Sequence, residues 1–126
     1  MRISSILLAA SVGLLSSAPA FAHPRLVSAN PAANSVVAAP ASLTLNFSEK
    51  LVAQFSGADL VMTSMPGMKM SAPMKTTGMK AGVTPDGKSL LVTLARPLAR
   101  GSYKLTYHVV STDTHRVAGG YAFSVK

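Results

Sequence analysis

Apolar and polar residues alternate in short runs along this chain. Leu43, Leu45 and Phe47 alternate with Ser42, Thr44 and Asn46, the period-two signature of a strand with one buried and one wet face. Tyr103, Leu105, Tyr107 and Val109 repeat it, with Lys104, Thr106 and His108 on the opposite face. Tyr121, Phe123 and Val125 form a third run, and 60–62 and 90–94 are further strand candidates. Turn-forming residues separate them: Asn30-Pro31, Ala39-Pro40, Pro66-Gly67, Pro85-Asp86-Gly87 and Arg100-Gly101. Beyond residue 22 no stretch shows capped 3.6-residue periodicity. The pattern predicts an all-β domain, a single Greek-key barrel or sandwich without internal repeats.

One segment breaks the alternation. Residues 63–80 contain Pro66, Gly67, Pro73 and Gly78 but few branched apolar residues, and so predict a loop. Five methionines crowd into it, Met65, Met68, Met70, Met74 and Met79, with Met62 at the end of the preceding strand. In a core, methionine is an ordinary gap filler. In a Pro/Gly loop it has little core to fill. Thioethers are soft, neutral ligands that favour Cu(I) and need no deprotonation. A flexible loop can fold several of them around one ion. The competing reading is an interaction patch or a sink for oxidants.

The amino terminus adds the cellular context. Arg2 precedes a short apolar core at 6–15, and Ala20-Phe21-Ala22 is an A-x-A cleavage site. The apolar run is too short to span a bilayer, and no second run of about 18 residues follows. Residues 1–22 therefore read as a cleaved signal peptide. The mature domain, 23–126, would not span the membrane and would begin at His23. There are no cysteines, so disulfides and thiolate metal sites are excluded and the domain must be held by its core.

The formal charge is +8, and +7 once Arg2 is removed. The basic residues are scattered, with no adjacent run. With export, this argues against nucleic acid. It reads instead as a solvated surface that steers encounter with an acidic partner or the membrane face.

A second constellation is split across the chain. After cleavage His23 offers an α-amine and an imidazole on one residue. Asp113 and His115 are two apart, so in an extended segment they share a face. Nitrogen ligands in square geometry suit Cu(II). Singly, His115 reads as a surface histidine and Asp113 as a turn residue; the combination with an N-terminal histidine points to a metal. His108, on the polar face of its strand, reads as an exposed residue outside the site. Glu49 reads either as a surface acid or as a partner that orients a ligand without binding the metal.

Five segments together carry a resemblance: His23-Pro24-Arg25-Leu26-Val27-Ser28, Asn46-Phe47-Ser48-Glu49-Lys50-Leu51, Gln54-Phe55-Ser56-Gly57-Ala58, Met62-Thr63-Ser64-Met65-Pro66-Gly67-Met68 and Val109-Val110-Ser111-Thr112-Asp113-Thr114-His115. Across the whole mature chain they resemble the CopC family of periplasmic copper-resistance proteins. The resemblance implies a small Greek-key β-barrel similar to cupredoxins and immunoglobulin-like domains. It implies a Cu(II) site at His23, Asp113 and His115, and a Cu(I) site at Met62, Met65, Met68 and Met74. It also implies a non-enzymatic periplasmic carrier, with an inner-membrane copper transporter and a periplasmic multicopper oxidase as partners. The chain departs from the family pattern in three places. Met70 stands where a loop histidine is expected, which makes the loop site purely thioether. One residue is inserted before Met74, and Arg116 follows His115 where proline is common. Met79 lies beyond the motif. Two rival readings are a histidine-brace copper monooxygenase acting on polysaccharide and a Met-rich interaction or oxidant-sink module. The first lacks an aromatic platform: there is no Trp, and three of the four Phe read as core or buried-strand residues.

Overall fold

A computed structural model describes residues 23–68 and 70–126; the expected leader and its cleavage site lie outside the described residues. Nine strands are described, in two sheets. One sheet has the order β1 (Leu26–Asn30), β3 (Ser42–Phe47), β7 (Ser89–Leu94), β6 (Met79–Val83). The other runs β2 (Val36–Val37), β9 (Arg116–Val125), β8 (Gly101–Val110), β4 (Gly57–Ser64), β5 (Met74–Lys75). β3 pairs with β7 and not with its sequence neighbour β4. The chain therefore crosses between the sheets, giving the all-β Greek-key sandwich that the alternation predicts.

The alternating residues build the core. Leu43, Leu45 and Phe47 face inward from β3, and Leu90, Val92 and Leu94 from β7. From the other sheet Leu60, Met62, Tyr103, Leu105, Phe123 and Val125 meet them. The Tyr103 and Phe123 rings stack with centroids 5.7 Å apart, and Phe47 meets Tyr107 edge-on at 5.3 Å. Such burial of apolar surface is the main stabilising term for a domain without disulfides.

Several elements differ from the sequence expectation. The stretch 63–80 is not one loop: β4 extends to Ser64, and β5 and the start of β6 lie within it. β5 and β2 are two residues long and leave no periodic trace. β6, an edge strand reading Met-Lys-Ala-Gly-Val, turns only its two ends inward. In β1 a register irregularity between Leu26 and Ser28 disrupts the alternation. β9 begins five residues before Tyr121, its first half hidden by Gly119-Gly120. Gly119 is needed there, because a Cβ would sit 2.5 Å from the Tyr107 hydroxyl. Phe55 lies in a single 3-10 turn (Ala53–Phe55) and is 52% exposed, whereas Phe47 and Phe123 are buried.

The strand directions sort the connections into two ends. Residues 23–25, 48–56, 84–88 and 111–115 gather at one end; 31–41, 65–68, 70–73 and 95–100 gather at the other. β8 covers the distance with ten residues, roughly 30 Å at the rise of a β-strand. Leu105→Ala, at a fully buried position, is expected to lower unfolding free energy by about 3 kcal/mol in urea titration. Val36→Ala, at an exposed one, is expected to change it by less than about 0.5 kcal/mol.

Candidate metal centres

At the first end, His23 precedes β1 and His115 precedes β9. Their rings meet edge-on, with centroids 4.5 Å apart and planes at 65°. Two histidines 92 positions apart are thus neighbours. The pairing of Leu26 with Phe47 and the β8–β9 hairpin carry them to the same place.

Asp113 is brought to the same spot by the turn that joins β8 to β9. Thr114 adopts a left-handed backbone (φ 75°), and its N–H donates to the Ser111 carbonyl at 2.9 Å. The Ser111 N–H donates to the His115 carbonyl, also at 2.9 Å. The Ser111 side chain, essentially fully buried, donates its hydroxyl to Asp113 Oδ1. Asp113 Oδ2 lies 3.0 Å from Nδ1 of His115. A neutral His115 donating Nδ1–H to that carboxylate presents Nε2 to a metal, the usual arrangement around ligating histidines. The hydrogen bond from Ser111, followed by that with His115, holds the Asp113 carboxyl down at about 2 against an ordinary 3.8.

Asp113 therefore orients His115 in this geometry. Among the described residues no three His, Asp or Glu side chains form a ready-made metal cage. Ser111 was not singled out from sequence. Its one signal is a hydroxyl residue two positions before an acid, a common turn motif. Glu49 is half-buried at the same end, beside Lys50, whose carbonyl accepts from the Thr112 N–H at 2.9 Å. His108 is exposed on the outer face of β8, opposite Gly57.

The methionines gather at the far end, in two pairs. Met62 on β4 lies directly opposite Met74 on β5, at a separation where cross-strand side chains touch. Met65 and Met68 form a bridge across the Pro66-Gly67 turn, with Gly67 at φ 71°. Exposure is graded: Met62 is 6% exposed, Met74 55% and Met68 64%. Met65, Met70 and Met79 are half-buried against the core cluster. Met79 belongs to the other sheet, paired with Leu94, apart from the β4–β5 pair. The gap-filling role of methionine thus holds in part, while Met68 and Met74 fill no core.

The model of the CopC domain family matches residues 26–126. The chain belongs to the CopC family. It is 54% identical over 112 residues to the copper resistance protein C of Xanthomonas campestris pv. juglandis, covering 89% of this chain and 87% of that protein. It is 52% identical over 118 residues to that of Pseudomonas syringae pv. tomato, covering 92% and 90%. The fold matches the crystal structure of PcoC, a methionine-rich copper resistance protein from Escherichia coli. There the TM-score is 0.74 at 44% identity, covering 83% of this chain and all of that one. Among the described residues of this CopC-family chain no helix is long and apolar enough to cross a membrane.

The depressed Asp113 pKa sets a pH signature for the metal-free chain. Its contribution to stability is present above the ordinary value of 3.8 and is lost as pH falls through about 2. Urea unfolding of wild type and Asp113→Asn is expected to show a stability gap near neutral pH that closes across this window. A gap independent of pH would mean that the carboxylate charge contributes nothing.

Proposed function

We propose that this chain is a periplasmic copper carrier, not a catalyst, with one site for each oxidation state. The observation that carries the reading is the ring contact between His23 and His115. Once the leader is removed, His23 chelates Cu(II) through its α-amine and ring, His115 adds an imidazole, and Asp113 contributes its carboxylate. The amine must lose its proton to bind, and its ordinary pKa is near 8. Cu(II) affinity therefore falls on acidification.

The second site takes Cu(I) at Met62, Met65, Met68, Met70 and Met74, whose thioethers stay neutral and soft at any pH of interest. The two sites sit at opposite ends of the sandwich, so one molecule does not pass an ion internally from one to the other. A change in redox state alters which end holds copper, and the ion leaves to a partner. An inner-membrane copper transporter and a periplasmic multicopper oxidase are the partners this chemistry serves. Support comes from the copper-resistance names of the relatives and from the separation of hard and soft donors between the two ends.

Direct titration of the 23–126 chain tests this. His115→Ala is expected to lower Cu(II) affinity by about 100-fold or more, beyond what loss of an orienting contact costs, while Cu(I) affinity stays unchanged. The Met62→Leu, Met74→Leu double variant is expected to do the reverse, read by competition with a chromophoric Cu(I) chelator without oxygen. Wild-type Cu(II) affinity in His115→Ala would overturn the first assignment, and wild-type Cu(I) affinity in the methionine variant the second.

A further inference from the structure

A cavity of about 420 Å³ opens at the methionine end. Its lining includes Met62 and Met74, and the apolar residues Leu94, Pro97, Leu98 and Tyr103. The Tyr103 hydroxyl donates to the Ala99 carbonyl at 2.7 Å, so the floor presents mainly apolar surface and sulfur. This volume falls in the range of ligand pockets and exceeds what one water fills. Arg96 also lines it, and Arg96 and Arg100 are both exposed in the connection that closes this end.

Charge is unevenly shared between the two ends. Of the four acids, Glu49, Asp86 and Asp113 lie at the histidine end. The fourth, Asp59, is on β4 and is paired with Lys75 at 3.7 Å. Arg96 and Arg100 thus give the methionine end a positive rim with no acidic side chain among the described connections there. A Cu(I) ion held only by neutral thioethers keeps its positive charge, which adds to that of the rim. Such a face attracts an anionic partner.

Building on the Cu(I) reading of this end, we propose that the cavity is where the copper acceptor docks. The acceptor is an acidic segment of another protein that carries a methionine. Its thioether enters the cavity beside Met62 and Met74, while flanking Asp or Glu carboxylates meet Arg96 and Arg100. Handover begins by ligand exchange: one Cu–S bond to the acceptor forms as the bond to exposed Met74 breaks, which leaves the ion shared between Met62 and the acceptor. It departs when the Cu–Met62 bond is exchanged for a second donor of the acceptor. Copper remains Cu(I), and no proton or electron moves. Met62, nearly buried, holds the ion until the incoming sulfur is in place.

The probes are a fluorescently labelled Asp-Asp-Met-Asp-Asp peptide and its Leu counterpart, added to the 23–126 chain carrying one equivalent of Cu(I) without oxygen. The Met peptide is expected to bind at least about tenfold more tightly than the Leu peptide, and to weaken as salt screens the rim. The Arg96→Glu, Arg100→Glu double variant is expected to lose about tenfold or more in peptide affinity, with its Cu(I) affinity unchanged in chelator competition. Equal binding of both peptides, or wild-type peptide affinity in the charge-reversed variant, would overturn docking. So would salt-dependent capture by phosphatidylglycerol vesicles combined with no selective binding of the Met peptide, which would assign the rim to a membrane surface. Chelator competition without peptide separates the two levels. A chain that holds no Cu(I) overturns the site and the docking with it; a chain that holds Cu(I) but fails the peptide tests overturns docking alone.

Discussion

The register between β8 and β9 is the constraint on which the other features hang. Ten residue pairs, from Gly101 with Val125 to Val110 with Arg116, set it. A slip of one residue would turn Tyr103, Leu105 and Val109 out to water and bring polar neighbours inward. Gly119 sits opposite Tyr107, and a Cβ there would lie 2.5 Å from the Tyr107 hydroxyl, so this pair tolerates no larger residue unless the ring moves. With the register fixed, the turn at 111–115 has one position, and so do Ser111, Asp113 and His115. At the other end the same hairpin seats Tyr103 under the methionines.

A sandwich of this kind leaves chemistry only at its ends. Both sheets spend their inner faces on the core, and their outer faces carry scattered residues, such as Lys104, Thr106 and His108 on β8 and Leu91 on β7, that form no donor cluster among the described residues. The connections at the two ends are roughly one β8 length apart, about 30 Å. The histidine end presents imidazole nitrogens, a carboxylate and three of the four acids; the methionine end presents thioethers and a basic rim. Hard and soft donors are thus held apart by a rigid core, and competition between them for one ion is not settled by short-range rearrangement.

Much of this was legible in the sequence, for a physical reason in each case. β3, β8 and the second half of β9 alternate cleanly because one face packs and the other is wet. The two-residue strands β2 and β5 leave no such trace, and edge strands β1 and β6 pack too little of one face to show it. The grouping of His23 with His115 came from their shared ligand chemistry and from the resemblance of known segments, not from periodicity, because their proximity depends on two strand pairings far apart in sequence. The orienting role of Ser111 was not legible, since it exists only in a turn with Thr114 in a left-handed conformation. The methionine spacing identified the thioethers, but the opposition of Met62 to Met74 arises from a two-residue strand that no pattern announces.

The most direct measurement is Cu(II) titration of the chain that begins at His23 beside the same chain carrying one extra residue before it. Only the first has an α-amine on His23. Tight one-to-one binding that is lost in the extended chain is the expected result, and ties Cu(II) to the new amino terminus. Equal affinity in both would contradict it, and the Cu(II) site would have to be built from other residues.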